Sequence, residues 1–90
     1  MADAYAGPVR IYGEDGVLLT VGTVNLQADS EVKTWRGVLQ VLRGSAVDGK
    51  ALVVELETPD GDRGRAQIVP RAANGEYALS AVYGLGESPF

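Results

Sequence analysis

The chain contains no cysteine and no histidine. Without thiols there is no disulfide framework, no thiolate nucleophile and no zinc–thiolate site, and nothing calls for an oxidising compartment. Without imidazole the commonest general base and the usual transition-metal ligand are missing, as is the one side chain that titrates near neutrality. Ser45, Ser80 and Ser88 therefore have no histidine to activate them, and Lys33 and Lys50 lie beside turns, away from any apolar setting that would activate an amine. Covalent and acid–base catalysis both lack their usual groups, so the expectation is a protein that is not an enzyme and holds no cofactor or metal.

Basic charge is also scarce. Eight Lys and Arg stand against twelve Asp and Glu, a net charge of −4. An acidic chain repels phosphate backbones, whose recognition depends on a basic surface, so nucleic acid is not an expected partner. No apolar run is long enough to span a bilayer, and the start Met1-Ala2-Asp3-Ala4-Tyr5 is neither a basic leader nor an apolar signal core. A cytoplasmic, non-membrane protein is expected. With one Trp and one Phe, large apolar side chains are few, and Trp35 is expected inside as a core plug before it is expected outside as a binding anchor.

Turn chemistry, by contrast, is plentiful. Asp15-Gly16, Asp48-Gly49, Asp60-Gly61 and Asn74-Gly75 each separate two runs rich in Val, Leu, Ile and Tyr. Gly accepts positive φ, and Asp or Asn bonds its own backbone, so such pairs between alternating runs signal hairpins. The reading is all-β: six antiparallel strands in a meander, closing into a small barrel or a two-sheet sandwich. Residues 1–90 form one domain, with 1–7 as a loose leader and 84–90 as a tail.

Pro8 suits a strand start, and Val9 and Ile11 alternate with Arg10 and Tyr12. From Val17 to Ala28 the apolar phase slips at Gly22-Thr23, which predicts a β-bulge there. Ser30 is placed to cap a single helical turn reaching Lys33. Lys33 to Arg43 then puts Trp35, Leu39 and Val41 on one face and Arg36 and Gln40 on the other, with Val38 and Leu42 breaking the alternation. Ala51 to Thr58 is the most regular strand. Pro70 is expected to end the fifth strand, and Glu76 to Gly84 forms the sixth.

One hairpin can be given its register. A three-residue loop at Pro59-Asp60-Gly61 sets Thr58 opposite Asp62, Glu57 opposite Arg63 and Glu55 opposite Arg65. Leu56 then meets Gly64, Val54 meets Ala66 and Leu52 meets Ile68. A slip of one residue would turn charges toward the core, so this register is strongly specified. It also explains Glu55 and Glu57 as members of a solvated charge ladder rather than a catalytic or calcium-binding pair.

Aromatic and Arg side chains dominate binding hot spots, which makes Trp35, Arg36, Arg10, Tyr12 and Phe90 the candidate binding residues. Phe90 ends a tail that acts either as a lid over an open barrel end or as a peg for a partner, and its apolar character favours the lid.

Four segments, Tyr5-Ala6-Gly7-Pro8-Val9, Trp35-Arg36-Gly37, Glu57-Thr58-Pro59-Asp60-Gly61 and Gly84-Leu85-Gly86-Glu87-Ser88-Pro89-Phe90, together resemble a family of small actinobacterial β-domains of unknown function. Those domains occur alone and appended to flavin-dependent monooxygenases. The resemblance implies a β-fold and an association with an enzyme, and it transfers no catalytic residue. The leading expectation is a non-enzymatic binding or accessory module that contacts a protein partner, or a second copy as a homodimer, through a barrel face or an edge strand. A small-ligand carrier and a structural component of a viral or other assembly are the alternatives, and six short strands argue for a filled interior over a ligand cavity.

Overall fold

The computed structural model describes residues 3–29, 31 and 34–90. Six strands, β1 (Ala4–Gly13), β2 (Leu18–Asp29), β3 (Thr34–Leu42), β4 (Leu52–Glu57), β5 (Arg63–Asn74) and β6 (Tyr77–Gly84), close into an antiparallel barrel. Around the barrel the order is β1-β2-β3-β6-β5-β4. The chain thus makes two three-stranded meanders, and the connection from β3 to β4 crosses between them instead of forming a hairpin. Among the described residues no helix is long and apolar enough to cross a membrane.

The crossing corrects the reading of Asp48-Gly49 as a hairpin. Gly49 does take positive φ, as do Gly16, Gly61 and Gly75, but β3 and β4 are not neighbours. Turn chemistry fixes a local bend without saying which strand lies beyond it. Val47 in this connection is fully buried, so the loop is anchored in the core.

The β4–β5 hairpin has the expected register, from Leu52 opposite Ile68 to Glu57 opposite Arg63. Its loop closes with Gly61 N donating to Thr58 O and Thr58 N donating to Asp62 O, both at 2.9 Å. Gly61 has φ +90°, the left-handed position that a residue with a Cβ resists.

Three boundaries differ from the expectation. β1 starts at Ala4, within the segment expected to be loose, and pairs Ala4 with Gln27. The Tyr5 ring lies over Gly7, and its hydroxyl donates to the Pro8 carbonyl at 2.6 Å, which ties this end down. The bulge is not at Gly22, which pairs in register with Val9; it falls between Ile11 and Tyr12, where Leu19 is the extra residue on β2. Gly22 is needed for another reason, since a Cβ there would lie 2.7 Å from the Gln40 carbonyl oxygen.

The third concerns Pro70, which does not end β5. The strand runs on to Asn74 with a bulge at Arg71. Leu85 N donates to Arg65 O, and narrow rungs alternate along an antiparallel ladder, so Pro70, five residues on, directs its nitrogen away from β6. β4 pairs with β5 only as far as Ile68, so no hydrogen bond is lost there. The helical turn expected from Ser30 to Lys33 lies outside the described residues apart from Glu31.

The barrel centre is packed. Trp35, Ile11, Leu26, Leu39, Leu56 and Ile68 are the largest side chains shielded from water. The Trp35 indole occupies the space where Gly84 and Gly64 would carry a Cβ, so a large side chain on β3 is matched by bare backbone on β6 and β5. The tail closes over it. Trp35 Nε1 donates to the Gly86 carbonyl at 2.9 Å, Pro89 is buried against Gly64, and the Phe90 ring stands edge-on to the indole at 6.1 Å.

Candidate functional site

Side chains that alternate outward from a barrel leave its sheet as rows of cross-strand neighbours. On the β1–β4–β5 side two rows run across three strands: Arg10, Glu57 and Arg63, then Tyr12, Glu55 and Arg65. On the β3–β6 side four rows run across two strands: Arg36 with Tyr83, Val38 with Ala81, Gln40 with Leu79, and Leu42 with Tyr77.

In the first region the charges satisfy one another. Arg63 Nε donates to Glu57 Oε2 at 2.9 Å, the Tyr12 hydroxyl donates to Glu57 Oε1 at 3.3 Å, and Arg10 Nη1 lies 3.6 Å from the same oxygen. The Arg63 guanidinium also stacks over the Tyr12 ring, 4.1 Å from its centroid. The hydrogen bond from Arg63 holds the Glu57 carboxyl below the usual glutamate range, against an opposing effect of desolvation, and Glu57 in turn holds Arg63 protonated. Arg65 does not pair with Glu55 as its register position implied. Its Nη2 reaches Glu14 in the β1–β2 turn at 2.9 Å, while Glu55 lies 3.9 Å from Arg63.

In the second region there is little to satisfy. Of its eight outward residues only Arg36 is charged. Val38, Leu42, Tyr77 and Tyr83 are 41–59% exposed. Ala81 is only 5% exposed although it points outward, because Val38 and Val69 flank it across the two ladders. A groove of about 600 Å³ opens over this floor of Gly37 and Ala81, with Arg36, Arg71, Tyr83, Asn25 and Gln27 around it. Neither Arg36 nor Arg71 has a carboxylate within 4 Å among the described residues.

The five candidate binding residues therefore separate. Trp35 is 1% exposed and belongs to the core, with Phe90 packed against it, so neither is a free anchor. Arg10 and Tyr12 are engaged by Glu57 and Arg63. Arg36 stands in the groove without a carboxylate within 4 Å among the described residues, whereas Arg10 lines a smaller hollow of about 320 Å³ together with Glu57. Arg71, Tyr83 and Val38, which are not among the candidates, are the companions of Arg36. Arg71 is hidden in the sequence because Pro70 reads as a strand end, and Tyr83 because nothing local says that β6 lies beside β3. One signal was present: Val38 and Leu42 break the inward pattern of Trp35, Leu39 and Val41, as outward apolar residues would.

Among the described residues no group of three or more acidic side chains could hold a metal ion. No family model matches the chain, nor does any curated protein or solved structure.

Proposed function

We propose that the protein is a binding module that docks another protein across the outer face of β3 and β6. One observation carries this reading: four large apolar side chains, Val38, Leu42, Tyr77 and Tyr83, stand exposed in three of the four rows of one sheet face, with half-buried Leu79 in the row between. Scattered apolar residues are ordinary on a surface, but a contiguous strip rimmed by polar groups favours association. The partner has a complementary character, apolar with an acidic group set to meet Arg36 and Arg71. An accessory role beside a larger enzyme is one setting for such a face.

Photo-crosslinking in the cell that makes the protein tests the proposal. A benzophenone side chain placed at Val38 is expected to give protein adducts, and the same group at Asp62, in the β4–β5 loop, is not. An adduct of twice the protein's own mass would make the partner a second copy. Absence of adducts at 38, or equal capture at both positions, would overturn the reading.

A further inference from the structure

We infer that the groove between Arg36 and Arg71 is a carboxylate-binding site, which rests on the docking face just proposed and specifies its polar anchor. The lining chemistry is one-sided. Arg36, Arg71, the Tyr83 hydroxyl and the amides of Asn25 and Gln27 all offer hydrogen-bond donors, and among the described residues no carboxylate lines this groove, in a chain where acids outnumber bases. Arg63, Arg65 and Arg10, by contrast, each lie within 4 Å of a glutamate.

The backbone adds to the arrangement. Arg71 is the extra residue of the β5 bulge, opposite neither Ser80 nor Leu79 in the ladder, and bulges commonly re-aim a side chain. Arg71 lines the groove together with Tyr83 and Ala81 of β6 and Arg36 of β3. The floor is low because Ala81, which points outward, carries only a methyl, which leaves space for an anion in the groove that both guanidiniums line. Planar guanidinium groups match carboxylate oxygens in paired hydrogen bonds, which an ammonium cannot reproduce.

The neighbourhood restricts the ligand further. On its other flank Arg36 borders a hollow lined by Asp3, Asp29 and Glu31, none of which pairs with it. Repulsion by these acids grows with the charge of the ligand, so they disfavour a polyanion more than a single carboxylate. Val38 on the groove wall favours a carboxylate carried on an apolar body. On the docking face such a group comes from a Glu or Asp side chain of the docked protein, with a small free carboxylic acid as the other outcome of the test.

Titration of the 15N-labelled protein, followed by NMR, distinguishes these. Sodium benzoate and the peptide acetyl-Val-Glu-Leu-amide are the charged probes, with benzamide and the Gln peptide as neutral twins. Saturable shifts at the amides of Gly37, Ala81 and Tyr83 are expected with the charged probes and not with the twins. Arg36→Gln and Arg71→Gln should each weaken binding about tenfold, as loss of a charge-assisted hydrogen bond does, and Arg36→Lys should fall between. Tighter binding of the peptide assigns the carboxylate to a partner protein, and tighter binding of benzoate assigns it to a free acid.

Equal response to charged and neutral probes, undiminished binding in the double Gln variant, or tighter binding of tripolyphosphate would each overturn the inference. Crosslinking at position 38 is read separately. If it persists while benzoate and peptide fail, the docking face stands and the carboxylate site falls.

Discussion

The outer face of β1, β4 and β5 and the outer face of β3 and β6 arise from the same alternation of side chains, yet their charges behave in opposite ways. On the first, Glu57 gathers Arg63, Arg10 and Tyr12, and each guanidinium of its two cross-strand rows, Arg10, Arg63 and Arg65, has a carboxylate within 4 Å. On the second, neither Arg36 nor Arg71, which lines its groove from the β5 bulge, has one among the described residues, and the row of Val38 and Ala81 is apolar. Charge that is matched within its own sheet fixes register and leaves little for a partner. Unmatched charge beside exposed apolar area contributes nothing to register and is left to be met from outside. Composition alone would have pointed to the more densely charged face, and pairing reverses that ranking.

Both faces rest on one core, and the largest effect should erase the distinction between them. Trp35→Ala removes the biggest buried side chain and leaves a space that the bare backbones of Gly64 and Gly84 cannot fill. A loss of about 3–5 kcal/mol is expected in urea unfolding, with the tail released because Gly86 and Phe90 lose their shared partner. Gly37→Ala should act more selectively. A methyl at 37 would run into the Asn25 carbonyl, which is backbone and cannot swing aside. Destabilisation of about 3 kcal/mol is expected, and because Gly37 floors the groove, NMR shifts should concentrate on β2, β3 and β6 and spare Glu57 and Arg63.

The two regions also differ in how far they can be read from residues alone. The β4–β5 register was legible because Pro59-Asp60-Gly61 fixes the loop length and only one pairing keeps Val54 and Leu56 inside while Glu55 and Glu57 face out. Arg36 was legible as an outward residue from its alternation with Trp35. The groove was not, because it depends on β6 lying beside β3, a pairing set by a long connection and by which large and small residues fill the centre together. The inward side of β6 carries Ala78, Ser80, Val82 and Gly84, small because Trp35 and Leu39 already occupy that space. That match is a property of packing between strands, and no window along the chain contains it. Pairing also decided the charges: Arg65 turns to Glu14, fifty-one positions away, instead of the Glu55 opposite it.

An intermediate effect belongs to the charged face and is seen through pH. The Glu57 carboxyl is held below its unfolded value chiefly by the hydrogen bond from Arg63, so ionised Glu57 favours the folded state. This stabilisation is present above the usual glutamate value of about 4.3 and is lost as pH falls through the depressed folded value. Glu57→Gln cannot titrate, so its urea midpoint should depend less steeply on pH in that acid window than the parent midpoint does. An unchanged slope would mean that the cluster around Glu57 does not form in solution, and the contrast between the two faces would lose one side.

The smallest effect on stability should come from Arg36→Gln combined with Arg71→Gln. Among the described residues neither guanidinium has a carboxylate to leave behind, so the unfolding free energy should stay within about 0.5 kcal/mol of the parent, while benzoate and acidic-peptide shifts at Gly37 and Ala81 disappear. The comparison turns on this dissociation. Substitution at a matched charge such as Glu57 disturbs the fold's pH response without touching the groove, and substitution at an unmatched one disturbs the groove without touching the fold. A double variant that unfolded appreciably more easily would show that Arg36 and Arg71 are already engaged within the molecule, and the face of β3 and β6 would then offer a partner only its apolar rows.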